Sequence, residues 1–176
     1  LLAQDILKSE PGARIVFDVK CSFLLPRAIR EAGGQPSMCV SGHSILKMQM
    51  KRLNATLGGE FSGHIVLRDR WSDFDDGPYV AARFLEILSK TDQSVSEVFN
   101  KIPNSYSTFE YKLQVESHEK ANELVEQFIQ NAEFSGANLT LMDGLRVDYD
   151  DGWGLIRSSN TSSCLGLRFE AVTEQR

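Results

Sequence analysis

The sequence predicts an α/β layer domain, a mixed sheet with helices, followed by a smaller α+β domain with an antiparallel sheet. Two patterns carry that prediction. In residues 1–93 short apolar runs alternate with stretches whose apolar residues recur every three to four positions, the strand–helix–strand–helix order of an α/β layer. From residue 109 apolar and polar residues alternate one by one, with a single helical stretch between them, as in antiparallel strands with one wet face. Residues 94–108 join the two.

Taken in order, the turn dipeptide Pro11-Gly12 precedes Ile15 to Val19, an apolar, β-branched run that reads as a buried strand. A helix starts at about Leu24, tolerates Pro26 in its first turn and ends at Gly33-Gly34. Met38 to Val40 forms a second strand and Ser41-Gly42-His43 a turn. Ile45, Met48 and Leu53 give a further helix, which Gly58, Gly59 and Gly63 are expected to break. Ile65 to Leu67 resumes as a strand. Asp75-Asp76-Gly77-Pro78 then reads as the entry to a helix with Ala81, Phe84, Leu85 and Leu88 on its apolar face.

In the joint, Ser94 and Glu97 make a capping-box pattern. The short helix it starts carries Val98, Phe99 and Ile102, Pro103 ends it, and Asn104-Ser105 reads as a hinge. The domain boundaries predicted are therefore 1–93, a linker helix and hinge over 94–108, and 109–176. In the last of these Phe109, Tyr111, Leu113 and Val115 alternate as a half-buried strand. Ala121, Leu124, Val125, Phe128 and Ala132 define a helix face. Leu139 with Leu141, Val147 with Tyr149, and Leu165 with Leu167 and Phe169 mark three more strands. Asp143-Gly144 and Asp151-Gly152 suit the turns between them.

Composition narrows the function. The 176 residues are 41% hydrophobic and 24% charged, values of a soluble globular protein. No apolar run is long enough to span a bilayer, and no signal-peptide pattern opens the chain. Three scattered cysteines (Cys21, Cys39, Cys164) fit reduced thiols of a cytoplasmic protein better than disulfides or a zinc site. Residues 1–90 hold 12 basic and 10 acidic side chains, whereas residues 91–176 hold 7 and 14. An acidic second half argues against a nucleic-acid surface, which needs a basic stripe. Any phosphate bound here needs a focused site.

Four segments offer such chemistry. Lys20 follows an apolar strand at its carboxyl end, where α/β sheets collect ligands; as a lone residue it also reads as a solvated lysine. Ser41-Gly42-His43 sets a glycine-flanked imidazole beside a hydroxyl, able to hydrogen-bond a ligand or to move a proton. Gly58-Gly59-Glu60-Phe61-Ser62-Gly63-His64 places a carboxylate, a hydroxyl and an imidazole in a loop whose glycines let backbone approach a ligand. Arg157-Ser158-Ser159-Asn160-Thr161-Ser162-Ser163 offers a guanidinium fork, hydroxyls, an amide and backbone N–H groups to a phosphate, or else is a polar hairpin. It lacks the glycine pattern of a nucleotide-binding loop. Asp73, Asp75 and Asp76 precede a helix and read as caps in preference to a divalent-ion loop.

Together these segments resemble the α-D-phosphohexomutase superfamily. The match rests on Phe17-Asp18-Val19-Lys20-Cys21-Ser22, Ser41-Gly42-His43, Gly59 to His64, and Arg157 to Thr161. It runs in the family's order over essentially the whole chain. The nearest branch is bacterial phosphomannomutase/phosphoglucomutase, whose sugar loop reads Gly-Glu-Met-Ser-Gly-His and whose phosphate loop reads Arg-x-Ser-Asn-Thr-x-Pro. Here Phe61 stands in the Met place and Ser163 in the Pro place. Phosphoglucosamine-type mutases carry Gln in the first loop and Ser-Gly-Thr in the second, which Glu60 and Asn160 do not match.

The resemblance implies a C-terminal half, the third and fourth of four domains around one cleft, the fourth with a TATA-binding-protein-like fold. It implies an isomerase of carbohydrate metabolism, a cytoplasmic monomer that moves phosphate between C1 and C6 of mannose and glucose phosphates. Hexose 1,6-bisphosphate is then intermediate and activator, and the donor is a phosphoserine on the first domain. Mg²⁺ is held by an Asp-rich loop on the second domain; neither loop is found in this sequence, so no metal ligand is expected here and the fragment alone is expected to be inactive. By the same resemblance, Lys20 and His43, with Ser41 and Gly42, lie near the reacting phosphate and substrate. Glu60 and Ser62 hold sugar hydroxyls, and His64 assists proton transfer. Arg157, Ser159, Asn160 and Thr161 bind the non-transferring phosphate. The alternative reading is a non-catalytic sugar-phosphate binding module.

Overall fold

The chain divides after Pro103 into two units, and the computed structural model describes residues 1–159 and 162–175. The first unit opens with a helix that the sequence patterns do not announce, α1 (Leu2–Ser9), short but with Leu2, Ala3, Ile6 and Leu7 all buried on one face. There follow β1 (Arg14–Asp18), α2 (Leu24–Glu31), β2 (Gln35–Cys39), α3 (His43–Leu53), β3 (Leu57–Gly59), β4 (Ile65–Leu67), α4 (Gly77–Ser89) and α5 (Val95–Phe99).

The strands pair in the order β2-β1-β3-β4. β1 runs parallel to β2 and to β3, and β4 closes the sheet antiparallel, which makes it mixed. Because β1 is central and covered on both faces, its apolar run is unbroken. Ile15 and Phe17 point to one side, into a core with α1, Ile29 of α2, and Tyr79, Val80, Phe84 and Ile87 of α4. Val16 points to the other side and meets Leu46 and Met50 of α3. Val16, Leu46, Met50 and Val66 are fully buried, each stabilising the fold by about 1.5–3 kcal/mol.

Three expectations shift here. Helix α3 ends at Asn54, in the left-handed conformation at φ 48°, and not at the glycines. Gly58 and Gly59 lie in β3 instead, since a Cβ on Gly58 would fall 2.3 Å from Met50 Sδ of the helix packed above. On α3 it is Leu46 and Met50 that are buried, with Met48 64% exposed. On α4 Leu85 is 67% exposed, and the core face is rotated toward Tyr79 and Val80. The expected caps are present: Asp76 accepts from Tyr79 N–H at α4, and Ser94 and Glu97 form both halves of the capping box at α5. Ile102 lies past the end of α5.

The second unit contains β5 (Tyr106–Ser107), β6 (Tyr111–Gln114), α6 (His118–Asn131), β7 (Asn138–Thr140), β8 (Leu145–Tyr149), β9 (Gly152–Ser158) and β10 (Cys164–Ala171). The antiparallel order is β5-β10-β9-β8-β7, with β6 also paired to β10. Ala121 and Val125 of α6 pack on Leu145, Val147, Ile156 and Leu165. Strand β9, which the alternation misses, lies between β8 and β10. Its apolar rhythm is interrupted by glycine, and Gly154 stands opposite Phe169 in register. Strand β6 is not half-buried as expected: all four residues are exposed at the sheet edge, and Phe109, 88% exposed, precedes it.

The sheet face away from Leu145 and Val147 carries buried charge. Arg146 forks onto Asp148 and lies 3.9 Å from the Trp153 ring, and Trp153 Nε1–H donates to Glu170 at 2.7 Å. Arg157 of β9 belongs to this face. Its Nε lies 3.1 Å from Asp143 Oδ1, both side chains less than a tenth exposed. The N–H is not aligned on the oxygen, but at that distance opposite charges attract whatever the angle. The following Gly144, at φ 80°, lies directly on β9, where a Cβ would come 2.2 Å from the Ile156 carbonyl.

Candidate functional site

The first unit gathers its candidates at the carboxyl ends of β1, β2 and β3. Asp18, the last residue of β1, is 0% exposed and acts as their hub. One carboxylate oxygen accepts from Phe61 N–H and Cys21 Sγ, both at 3.1 Å, and the other from Ser41 Oγ at 3.0 Å. Lys20 Nζ lies 3.9 Å from Asp18 and 5.9 Å from the Phe61 ring centre. Donors and a cation on its several sides compensate the burial of this side chain.

Glu60, 8% exposed, accepts from Gly42 N–H at 2.7 Å through one oxygen. Gly42 is the N-cap of α3 and has no side chain to cap the helix; the Glu60 carboxylate takes its N–H instead. The N–H groups of the first turn add a partial positive charge at the same strand ends. His43 and His64 sit with ring centres 5.6 Å apart, and both turn toward Asp75. His64 Nδ1 is 2.5 Å from Asp75 Oδ2, whereas His43 Nε2 is 3.8 Å away. Burial raises the Asp75 carboxyl, but the hydrogen bonds from His64 and Ile65 N–H and the two imidazoles outweigh it, and its pKa is lowered.

Lys20, Ser41, Gly42, His43, Glu60 and His64 are thus brought together. Ser41 is buried, with its hydroxyl spent on Asp18, while Ser62 is exposed on the loop. In the second unit Arg157 is a strand residue; Ser159 follows it, its Oγ 3.0 Å from Ser162 Oγ. Asn160 and Thr161, the remaining candidates, lie outside the described residues. The sequence pattern gives Asp18 no role, places Asp143 in a turn and reads Asp75 as a cap. Asp75 was readable: two neighbouring carboxylates precede α4 and one suffices, so the other is spare. Among the described residues no cluster of three His, Cys, Asp or Glu side chains suits a metal ion, and no helix is long and apolar enough to cross a membrane.

The first unit thus carries charged and polar side chains at its strand ends and is followed by an antiparallel α+β unit. Residues 1–106 match the model of phosphoglucomutase/phosphomannomutase, alpha/beta/alpha domain III, and residues 110–176 match that of the C-terminal domain. The chain belongs to the phosphoglucomutase/phosphomannomutase family. It is 49% identical to a phosphomannomutase/phosphoglucomutase of Pseudomonas putida over 174 residues, which is 99% of this chain and 37% of that protein. It is 46% identical to a phosphoglucomutase of Neisseria meningitidis serogroup A, covering 99% of this chain and 38% of the relative. A crystal structure of a phosphoglucomutase/phosphomannomutase family protein from Burkholderia thailandensis superposes with a TM-score of 0.91 at 44% identity, over 98% of this chain and 36% of that one. The chain thus spans little more than a third of the length of these relatives.

Proposed function

We propose that this chain is the sugar- and phosphate-holding part of a longer phosphomannomutase/phosphoglucomutase that interconverts hexose 1-phosphates and 6-phosphates. The observation that carries the reading is the convergence of Lys20, His43, Glu60 and His64 around two carboxylates at the ends of parallel strands. Lys20 and the first-turn N–H groups of α3 favour the dianion of the phosphate being transferred. Glu60 uses one oxygen on Gly42, and its other oxygen accepts a sugar hydroxyl beside Ser62. Arg157, with Ser159, Asn160 and Thr161, holds the phosphate that does not react. When the hydroxyl oxygen forms its new P–O bond, the donor's P–O bond breaks and the hydroxyl proton passes to His64. The donor, a phosphoserine, and the Mg²⁺ that neutralises charge on the phosphoryl oxygens belong to segments outside this chain. The hexose 1,6-bisphosphate formed midway turns end for end and is held by the same hydroxyl contacts. The setting is the cytoplasm, and the working unit is a monomer.

A coupled assay with glucose 1-phosphate and catalytic glucose 1,6-bisphosphate tests this. The chain alone should remain at background, and the longer protein should turn over; turnover by the chain alone contradicts the placement of the donor. In the longer protein Glu60→Gln keeps an acceptor for Gly42 but loses the charge. It should lower kcat/KM for mannose and glucose phosphates alike, because the hydroxyls gripped are ones the sugars share. A shift in their ratio of tenfold or more, about 1.4 kcal/mol, would mean that Glu60 reads C2.

A further inference from the structure

Asp75 is held more firmly than a loop carboxylate needs to be. Its backbone forms an antiparallel bridge with Val66 of β4, and its Oδ1 accepts from Ile65 N–H at 3.2 Å. The adjacent Asp76 caps α4, so Asp75 has no capping to do. Its remaining oxygen faces His64 Nδ1 at 2.5 Å. An ionised carboxylate can only accept, so the shared proton belongs to the imidazole. A neutral imidazole carries one proton, and with Nδ1 protonated Nε2 is left as a lone pair. The other imidazole nearby, His43, has its Nε2 at 3.8 Å from the same oxygen, beyond hydrogen-bond reach.

We propose that Asp75 is a positioning residue that locks His64 in the Nδ1–H tautomer and so presents Nε2 as the proton acceptor. The proposal rests on the reading of His64 as the group that takes the hydroxyl proton, but the lock itself is a property of this chain. It also fixes the ring's direction, because the Val66 bridge and the Ile65 contact set where the carboxylate stands.

Asp75→Asn makes a sharp test. The Asn carbonyl can still accept from Ile65 N–H, which keeps the loop in place. Its NH₂, however, donates to His64 Nδ1, which must then be the unprotonated nitrogen. Long-range ¹H–¹⁵N correlation spectra of the labelled chain, at a pH where imidazoles are neutral, distinguish the two nitrogens directly. The chain has three histidines, and His64→Gln identifies the signals of His64. The unsubstituted chain should show His64 protonated on Nδ1, and Asp75→Asn should move the proton to Nε2. An Nε2–H tautomer in the unsubstituted chain overturns the proposal even if the variant fails to fold; so does a tautomer that Asp75→Asn leaves unchanged. In the longer enzyme Asp75→Asn should lower kcat by about 10²-fold or more, the range of general-base catalysis, with KM nearly kept. A reversed tautomer with normal kcat upholds the lock and overturns the proton-transfer reading of His64.

Discussion

Arg157→Ala is expected to lose two things at once, the stability of the second unit and its hold on phosphate. The guanidinium and Asp143 form a nearly buried ion pair. Removing the guanidinium takes the cation away from the nearly buried Asp143 carboxylate and destabilises the second unit, by up to about 3–5 kcal/mol. In the longer enzyme the loss of a charge-assisted phosphate contact should raise KM for the hexose phosphate roughly ten- to a hundred-fold, corresponding to about 1.5–3 kcal/mol. The two losses separate in a double variant. Arg157→Ala with Asp143→Ala removes both charges of the pair, so urea unfolding should recover much of the stability while KM stays high. Arg157→Lys should fall between, since it keeps a charge for Asp143 but reduces the fork to a point donor. Full stability of the single alanine variant, or an unchanged KM in all three, contradicts the account.

Asp18→Ala is expected to have the largest effect in the first unit. It leaves Ser41 Oγ, Phe61 N–H and Cys21 without their shared acceptor and Lys20 without its counter-charge. Hydrogen bonds to a charged group are worth about 1.5–3 kcal/mol each, so the loss of three is expected to cost several kcal/mol. Asp18→Asn keeps one carbonyl oxygen and the shape and should lose less. The specific readout is hydrogen exchange at the Phe61 amide. It should accelerate much more than exchange at Val16 in the sheet centre, because Asp18 ties the glycine-flanked loop to β1. Equal acceleration at both amides would make Asp18 a general stability residue and not the anchor of the site.

Features written in neighbouring residues were legible from the sequence. The apolar run of β1, the Ser94 and Glu97 capping box and the Asp76-Gly77-Pro78 entry to α4 each depend on contacts a few positions apart. Features decided at long range were not. Strand β9 owes its state to β8 and β10 on either side, and its glycines hide the alternation. The face of α4 was misread because Arg83, 4% exposed, belongs to the buried side; it reaches Asp69 at 2.6 Å and Asp5 at 3.4 Å. The candidate site divides in the same way. Lys20, His43, Glu60 and His64 stand in short motifs that declare their chemistry. Asp18 meets Phe61 across 43 positions and His64 meets Asp75 across 11, distances that local pattern does not span. Lys20, the two imidazoles and Glu60 were therefore readable, and of the carboxylates that orient them only Asp75 left a local sign.

The central claim is that these loops hold a sugar phosphate, and amide chemical shifts of the ¹⁵N-labelled chain titrated with glucose 1-phosphate test it most directly. The account predicts saturable shifts at Gly42, His43 and Glu60 to His64 in the first unit and at Arg157 to Ser159 in the second, with glucose alone far weaker. Inorganic phosphate should reproduce part of the pattern without the response at Glu60 and Ser62, where the proposal puts the sugar hydroxyls. Shifts absent from both loops, or confined to residues remote from them, would contradict the claim.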